Sequence, residues 1–214
     1  MDDLLTHECR LALAYAKSAL RPSFTTLFLL DATLGRILSQ VREPHLAQIR
    51  LAWWRAELEG LSRAAAAPND PILAECWALI RRHDVTSGML AGLTDGWEAL
   101  LETSPLTADS LSRHGTARGH ALFAIAGQIA GVETSAGAGW ALADFSLRCS
   151  EPQTAALARS MALASLTENP AAAVPSAMRP FGIVTRFAER DAATGAACQP
   201  VRRIGQALRY ALLN

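Results

Sequence analysis

Apolar residues recur at helical spacing along almost the whole chain, while alternating Val, Ile, Thr and aromatic runs bounded by turn residues do not occur. Residues 3 to about 20 place Leu4, Leu5, Leu11, Leu13 and Leu20 amid alanines, which predicts a first helix. Arg21-Pro22-Ser23 breaks it, because the residue before a proline avoids the α region. A second helix over about 23–41 carries Phe24, Leu27, Leu34, Ile37 and Val41 as its stripe. The third runs from Pro44, a first-turn proline, to Leu61. Leu46, Ile49 and Trp53 face one way on it, and Leu51, Trp54, Leu58 and Leu61 form a second stripe. That width predicts a helix buried on most sides.

Asp70 as cap and Pro71 at the first position open a fourth helix, with Ile72, Leu73, Cys76, Trp77, Leu79 and Ile80. Met89, Leu93, Trp97 and Leu100 mark a fifth within 86–102. A sixth starts at Leu106–Asp109 and ends near Gly115. The next stretches, 118–132 and 136–148, are rich in Ala and Gly, which lets helices approach closely. Glu151-Pro152 opens a helix to about Leu166, residues 169–180 with three prolines read as an irregular connection, and 182–189 as a short helix. From Val201, one face holds Val201, Ile204, Leu208 and Leu212, with Arg202, Arg203 and Arg209 elsewhere. No repeat period is present, and the pattern predicts an all-α, single-domain helical bundle over 1–214.

Composition narrows the function. Of 214 residues half are hydrophobic, and 20 basic balance 20 acidic side chains, which excludes a disordered chain and leaves no overall field for a polyanion. Nucleic acid is therefore not an expected partner. Lys17 is the only lysine, so the basic set is almost entirely arginine. The four cysteines are far apart and include no Cys-x-x-Cys, as expected of reduced thiols. Met1-Asp2-Asp3 is not the basic start of a signal peptide, and no apolar run reaches the ~18 residues of a membrane span. Cytoplasmic placement is expected, with peripheral contact at the inner membrane open. No Gly-x-Ser-x-Gly, phosphate loop or dinucleotide fingerprint occurs. His114 and His120 are six apart, not the i, i+4 of a helical metal pair, and read as satisfied or exposed histidines. Gly115 and Gly119 read as a helix break or a close-packing site.

One stretch is more specific. Arg21-Pro22, then Leu30-Asp31-Ala32-Thr33-Leu34-Gly35-Arg36-Ile37-Leu38-Ser39-Gln40-Val41-Arg42-Glu43-Pro44, then Ile49-Arg50-Leu51-Ala52-Trp53-Trp54-Arg55-Ala56-Glu57-Leu58-Glu59-Gly60 resembles the squalene/phytoene synthase family. The resemblance is closest to its short branch, which includes complex I assembly factor-like proteins. It is clearest over 21–60 and runs more weakly to about 150. It implies the isoprenoid synthase fold, shortened at its C-terminal side, around a cavity for two prenyl diphosphates. It also implies two Asp-rich helical motifs holding magnesium, which neutralises the departing diphosphate.

Both motifs are altered. With Arg36 set against the leading arginine of the first, Ser39 and Gln40 stand where paired aspartates belong, and Glu43 alone matches an acidic position. In the second, Leu147-Arg148-Cys149 puts Cys149 in place of the aspartate, with Asp144 upstream and Glu151 two residues on. The candidate catalytic carboxylates are thus Glu43, Asp144 and Glu151. Candidate ligand or diphosphate contacts are Arg36, Arg50 and Arg148, with guanidinium forks, and Trp53 and Trp54, one of which belongs to the core. Arg55 reads as a surface residue paired with Glu59, and Trp77, Trp97 and Trp140 as core. No resident metal or other cofactor is expected unless the enzyme reading holds, in which case magnesium is.

These residues lead to a non-catalytic isoprenoid-, lipid- or partner-binding protein of the assembly-factor kind. The alternatives are an active magnesium-dependent prenyl-diphosphate transferase of squalene, phytoene or hopanoid biosynthesis, and a plain helical interaction module without a cavity. For 201–213, the apolar face either packs on the bundle, the favoured reading, or lies on an anionic membrane surface.

Overall fold

The computed structural model describes residues 4–41, 43–102 and 105–213. Residue 3, where the first helix was expected to start, the acidic Met1-Asp2-Asp3 and Arg42 of the motif lie outside them. All regular structure among the described residues is helical: α1 (His7–Leu13), α2 (Arg21–Gln40), α3 (Pro44–Gly60), α4 (Pro71–Arg82), α5 (Ser87–Glu98) and α6 (Ala108–His114). A π-helical turn (Gly115–His120) leads into α7 (Ala121–Ala130), followed by α8 (Ala138–Arg148), α9 (Pro152–Glu168), α10 (Arg179–Thr194) and α11 (Pro200–Leu213).

Local chemistry accounts for the differences from the pattern. α1 stops at Leu13 rather than near 20, and the Arg21 guanidinium ties the following turns by donating to the carbonyls of Ala14 and Ala16, each at 3.2 Å. Pro22 lies in the first turn of α2, where a missing N–H breaks nothing. Asp70 caps α4 as expected, accepting from the N–H groups of Ile72 and Leu73. The sixth helix ends at His114, beside Gly115 as expected, but without a break: Gly115 keeps right-handed φ and ψ, and the chain continues through the π turn into α7. The short helix expected over 182–189 is longer, from Arg179 with Pro180 in its first turn to a left-handed Gly195.

Two surface expectations are also corrected. On α3 the stripe Leu51, Trp54 and Leu58 is buried, while Leu46, Ile49 and Trp53 stand exposed. On α11 the apolar face does not pack on the bundle. Arg203, Ala207 and Tyr210 face inward, one helical turn apart, and Val201, Ile204, Leu208 and Leu212 face out.

The core centres on α2. Phe24 and Phe28 meet Phe181 of α10, which meets Phe123 of α7, with ring centroids 4.7 to 5.1 Å apart. α8 lies along α9, α3 along α5, and α10 touches α8 and α11. The π turn is pressed between α5 and α8. A methyl group at Gly96 would come within 2.5 Å of the Arg118 backbone nitrogen, and one at Gly119 would run into the Gly137 carbonyl. Those bare backbones let the turn reach the centre of the bundle, as π insertions often do at functional sites.

Candidate ligand cavity

A cavity of about 590 Å³ opens beside the π turn, within the range of small-molecule sites. Its wall comes from residues 4–9, α2, the end of α5, α8, α10 and α11, and is largely apolar, with Leu5, Phe28, Val184 and Phe187 among the lining. Across it runs a chain of charges. Arg118 is 3% exposed, and its Nε and Nη2 donate to the two carboxylate oxygens of Asp31, at 2.8 and 2.9 Å. The same Nη2 stands 2.9 Å from Asp144 Oδ2, an ion-pair contact without hydrogen-bond alignment. Asp144 Oδ1 accepts from Arg148 Nε one turn away on α8, at 3.0 Å, and forms an ion pair with its Nη2 at 2.8 Å. The Arg118 guanidinium lies between the rings of Trp97 and Trp140, 4.2 and 4.7 Å from their centroids.

The electrostatics follow from burial and these partners. Burial works against the charge of Arg118, yet Asp31 and Asp144 override it and hold the proton more tightly than usual. Burial likewise raises Asp144, and Arg118 and Arg148 outweigh it, leaving the carboxyl below its ordinary range. His114 donates from Nδ1 to the Gly96 carbonyl at 2.6 Å, and its Nε2 faces Arg118 Nη1 at 3.5 Å. Burial first, then the Arg118 charge, push its pKa down to about 3, so the ring is neutral with its proton on Nδ1. Cys9, also on the wall, is held as a thiol by burial, its pKa raised to about 12.

A second buried arginine enters from α11. Arg203 is 2% exposed, pairs with Asp191 of α10, lies 3.8 Å from Glu8 Oε1 and sits over the Phe187 ring. Its Nε and Nη1 have no hydrogen-bond acceptor among the described residues. The same is true of the indole N–H of Trp97.

The residues singled out from the sequence are scattered relative to this centre. Asp144, Arg148, Arg36 and Ser39 line the cavity, Arg148 with its side chain 62% exposed. Gln40, Arg50, Trp53 and Trp54 line a second, more open cleft that shares Leu4 and Arg36 with the first. Trp54 is the core member of its pair, 8% exposed, and Trp53 packs edge-on against it from the surface. Glu43 is exposed and lines neither space. Glu151 caps α9 by accepting from the N–H groups of Gln153 and Thr154, which lowers its pKa. Cys149 donates to the Glu151 carbonyl and also lines neither space. Ser39, Gln40 and Cys149 therefore do not share one site. Trp97 and Trp140 are buried, as core residues should be, and wall the cavity as well. Arg55 pairs across to Asp95 and Glu98 of α5 instead of Glu59.

Asp31, Arg118, Asp191 and Arg203 were missed. The signal was there for two of them: Asp31 is a carboxylate inside the apolar run of α2, and Arg118 a lone charge between small residues. Such charges are seldom buried without a partner.

The residues present do not fit the magnesium cluster that the resemblance implies. Asp31 gives both oxygens to Arg118, and Asp144 divides its oxygens between Arg118 and Arg148. Ser39 donates to the Arg36 carbonyl, and Glu151 is committed to its helix cap. Among the described residues no group of three or more His, Cys, Asp or Glu side chains stands where a metal ion could be held. A guanidinium lies between the two carboxylates instead.

The family model described as squalene/phytoene synthase matches residues 6–175. No curated protein and no solved structure matches the chain. With the match covering most of its length and an all-helical fold around a central cavity, the chain belongs to the squalene/phytoene synthase family.

Proposed function

We propose that this protein binds an isoprenoid or related lipid chain in its central cavity without transferring a prenyl group. The observation that carries this reading is the Arg118 bridge between Asp31 and Asp144 on the cavity wall, which engages the carboxylates that magnesium would need. The apolar remainder of the wall suits a hydrocarbon chain. Incubation with geranylgeranyl diphosphate and magnesium should release no pyrophosphate. Magnesium-dependent release that Asp144→Asn abolishes would establish the transferase reading in its place.

The outward stripe of α11 supports a second element of the same reading, peripheral contact with an anionic membrane. Val201, Ile204, Leu208 and Leu212 are exposed, and Arg202 and Arg209 lie exposed beside them. An apolar strip edged by arginines suits the boundary between headgroups and acyl chains, from which a lipid ligand would come. No helix among the described residues is long and apolar enough to cross a membrane.

A further inference from the structure

α3 carries two apolar stripes, and the fold covers one of them. Leu51, Trp54 and Leu58 are buried, whereas Leu46, Ile49 and Trp53, at i, i+3 and i+7, are each about half exposed on the neighbouring face. Apolar side chains scattered singly on a surface need no explanation, but three large ones in a row, one of them a tryptophan, mark an interaction surface. The row flanks the second cleft, a space of about 800 Å³ between α3, the second half of α2 and the start of α4. Ile37, Trp54 and Ile72, all buried, lie at its base, and Trp53 joins the row to that base by packing edge-on against Trp54.

The charges of the cleft are uneven. Arg36 and Arg50 line it, both exposed, and neither has an ion-pair partner among the described residues. Asp70, the acid among the lining residues, is engaged through Oδ1 with the N–H groups of Ile72 and Leu73. From Leu46 to Trp53 the row runs about 10 Å, two turns of helix. That length and spacing match the anchors of an amphipathic helix laid into a groove, and two unpaired guanidiniums favour acidic side chains on it. α11 of a second copy offers an exposed apolar face too, but Arg202 and Arg209 beside it would meet Arg36 and Arg50. An anionic bilayer is disfavoured by the concave shape and by Glu43 and Glu57, exposed at the two ends of the row.

We propose that the α3 cleft is a protein-docking groove whose partner is an amphipathic helix with acidic residues beside its central turn. This does not depend on the lipid-binding reading. The probe is a labelled synthetic helix of about 18 residues, with leucines at i, i+3, i+4 and i+7 and glutamates beside the central turn, and a counterpart with lysines in place of the glutamates. In fluorescence anisotropy with the full chain, the acidic helix should bind at least about tenfold more tightly than the basic one. Arg50→Glu should weaken the acidic helix about tenfold and strengthen the basic one, a switch that lost packing alone would not produce. Leu46→Asp combined with Ile49→Asp should abolish binding of the acidic helix with the melting temperature retained, since both side chains are exposed. No binding of the acidic helix, equal binding of the two helices, or an unchanged order in Arg50→Glu overturns the inference. So does loss of sedimentation with phosphatidylglycerol vesicles in the Leu46→Asp, Ile49→Asp variant, which assigns the row to a membrane. A dimer in sedimentation equilibrium that this variant dissolves assigns it to a second copy and overturns the inference as well.

Discussion

A guanidinium removed from water must be neutralised where it stands, and Asp31 and Asp144 do this for Arg118 from two different helices. Removing one member of such a group leaves a buried charge without compensation, which destabilises by about 3–5 kcal/mol. Arg118→Met should accordingly lower the melting temperature by roughly 10 °C. The triple variant Asp31→Asn, Arg118→Met, Asp144→Asn should recover much of that loss in the same thermal melts, because no unpaired buried charge remains and Arg148, which loses its partner, is exposed to water. His114 adds a pH dependence. Unfolded, it takes up a proton near pH 6.5, whereas burial and Arg118 hold its folded pKa to about 3. The unfolded state thus binds the extra proton, so this contribution is complete above about pH 6.5 and declines as pH falls toward 3. Asp144, held low by Arg118 and Arg148 against its burial, loses its contribution at the acid end of that range. As pH is lowered from about 7 to 4, melting temperatures should fall steeply in the parent protein and more gently in His114→Gln. An equal slope in the two would assign the acid sensitivity to other groups.

At the scale of elements, the helices announced themselves wherever a cap or a first-turn proline accompanied the apolar spacing, as at Asp70-Pro71 and Glu151-Pro152. The π turn did not, because its glycines satisfy the pattern of a break equally well. What distinguishes them is contact with α5 and α8, and those contacts exist only in three dimensions. Gly96→Ala tests that packing: the added methyl meets the Arg118 backbone, and a loss of about 1–3 kcal/mol is expected in denaturant unfolding. The reversed orientation of α11 has a similar cause. Periodicity defines an apolar face without saying which way it turns, and here the inward side is set by the Arg203 pair with Asp191 and by the Tyr210 hydroxyl, which donates to the Ala171 carbonyl at 2.8 Å. Tyr210 fits because Gly182 has no side chain to fill its place. If the outer face meets lipid, the parent protein should sediment with phosphatidylglycerol vesicles and release with added salt. Ile204→Asp combined with Leu208→Asp should abolish the association and leave the melting temperature unchanged, since neither side chain is packed.

At the scale of the molecule, the family and the all-α architecture were legible because both rest on local signals, the motif over 21–60 and the helical spacing. The centre of the site was not, since Asp31, Arg118 and Arg203 are brought together from positions 31, 118 and 203 by packing alone. Of the altered motif residues, Ser39 lines the cavity, while Gln40 in the second cleft and Cys149 in neither space lie apart from the chemistry of the buried charges. That chemistry surrounds a cavity, and a cavity of this size represents contacts the folded chain forgoes. A protein that kept it for no ligand would gain from filling it. Ala188 of α10 is 4% exposed and lines the space. Ala188→Leu should therefore raise the melting temperature of the unliganded protein by a few degrees, on the order of 1 kcal/mol for added buried methylenes. Saturating geranylgeraniol at about 100 times its dissociation constant should stabilise the parent by about 2.7 kcal/mol and the variant by much less. A variant stabilised as far as the parent by the ligand would place the isoprenoid outside this cavity, and calorimetry of the two proteins with and without geranylgeraniol decides it.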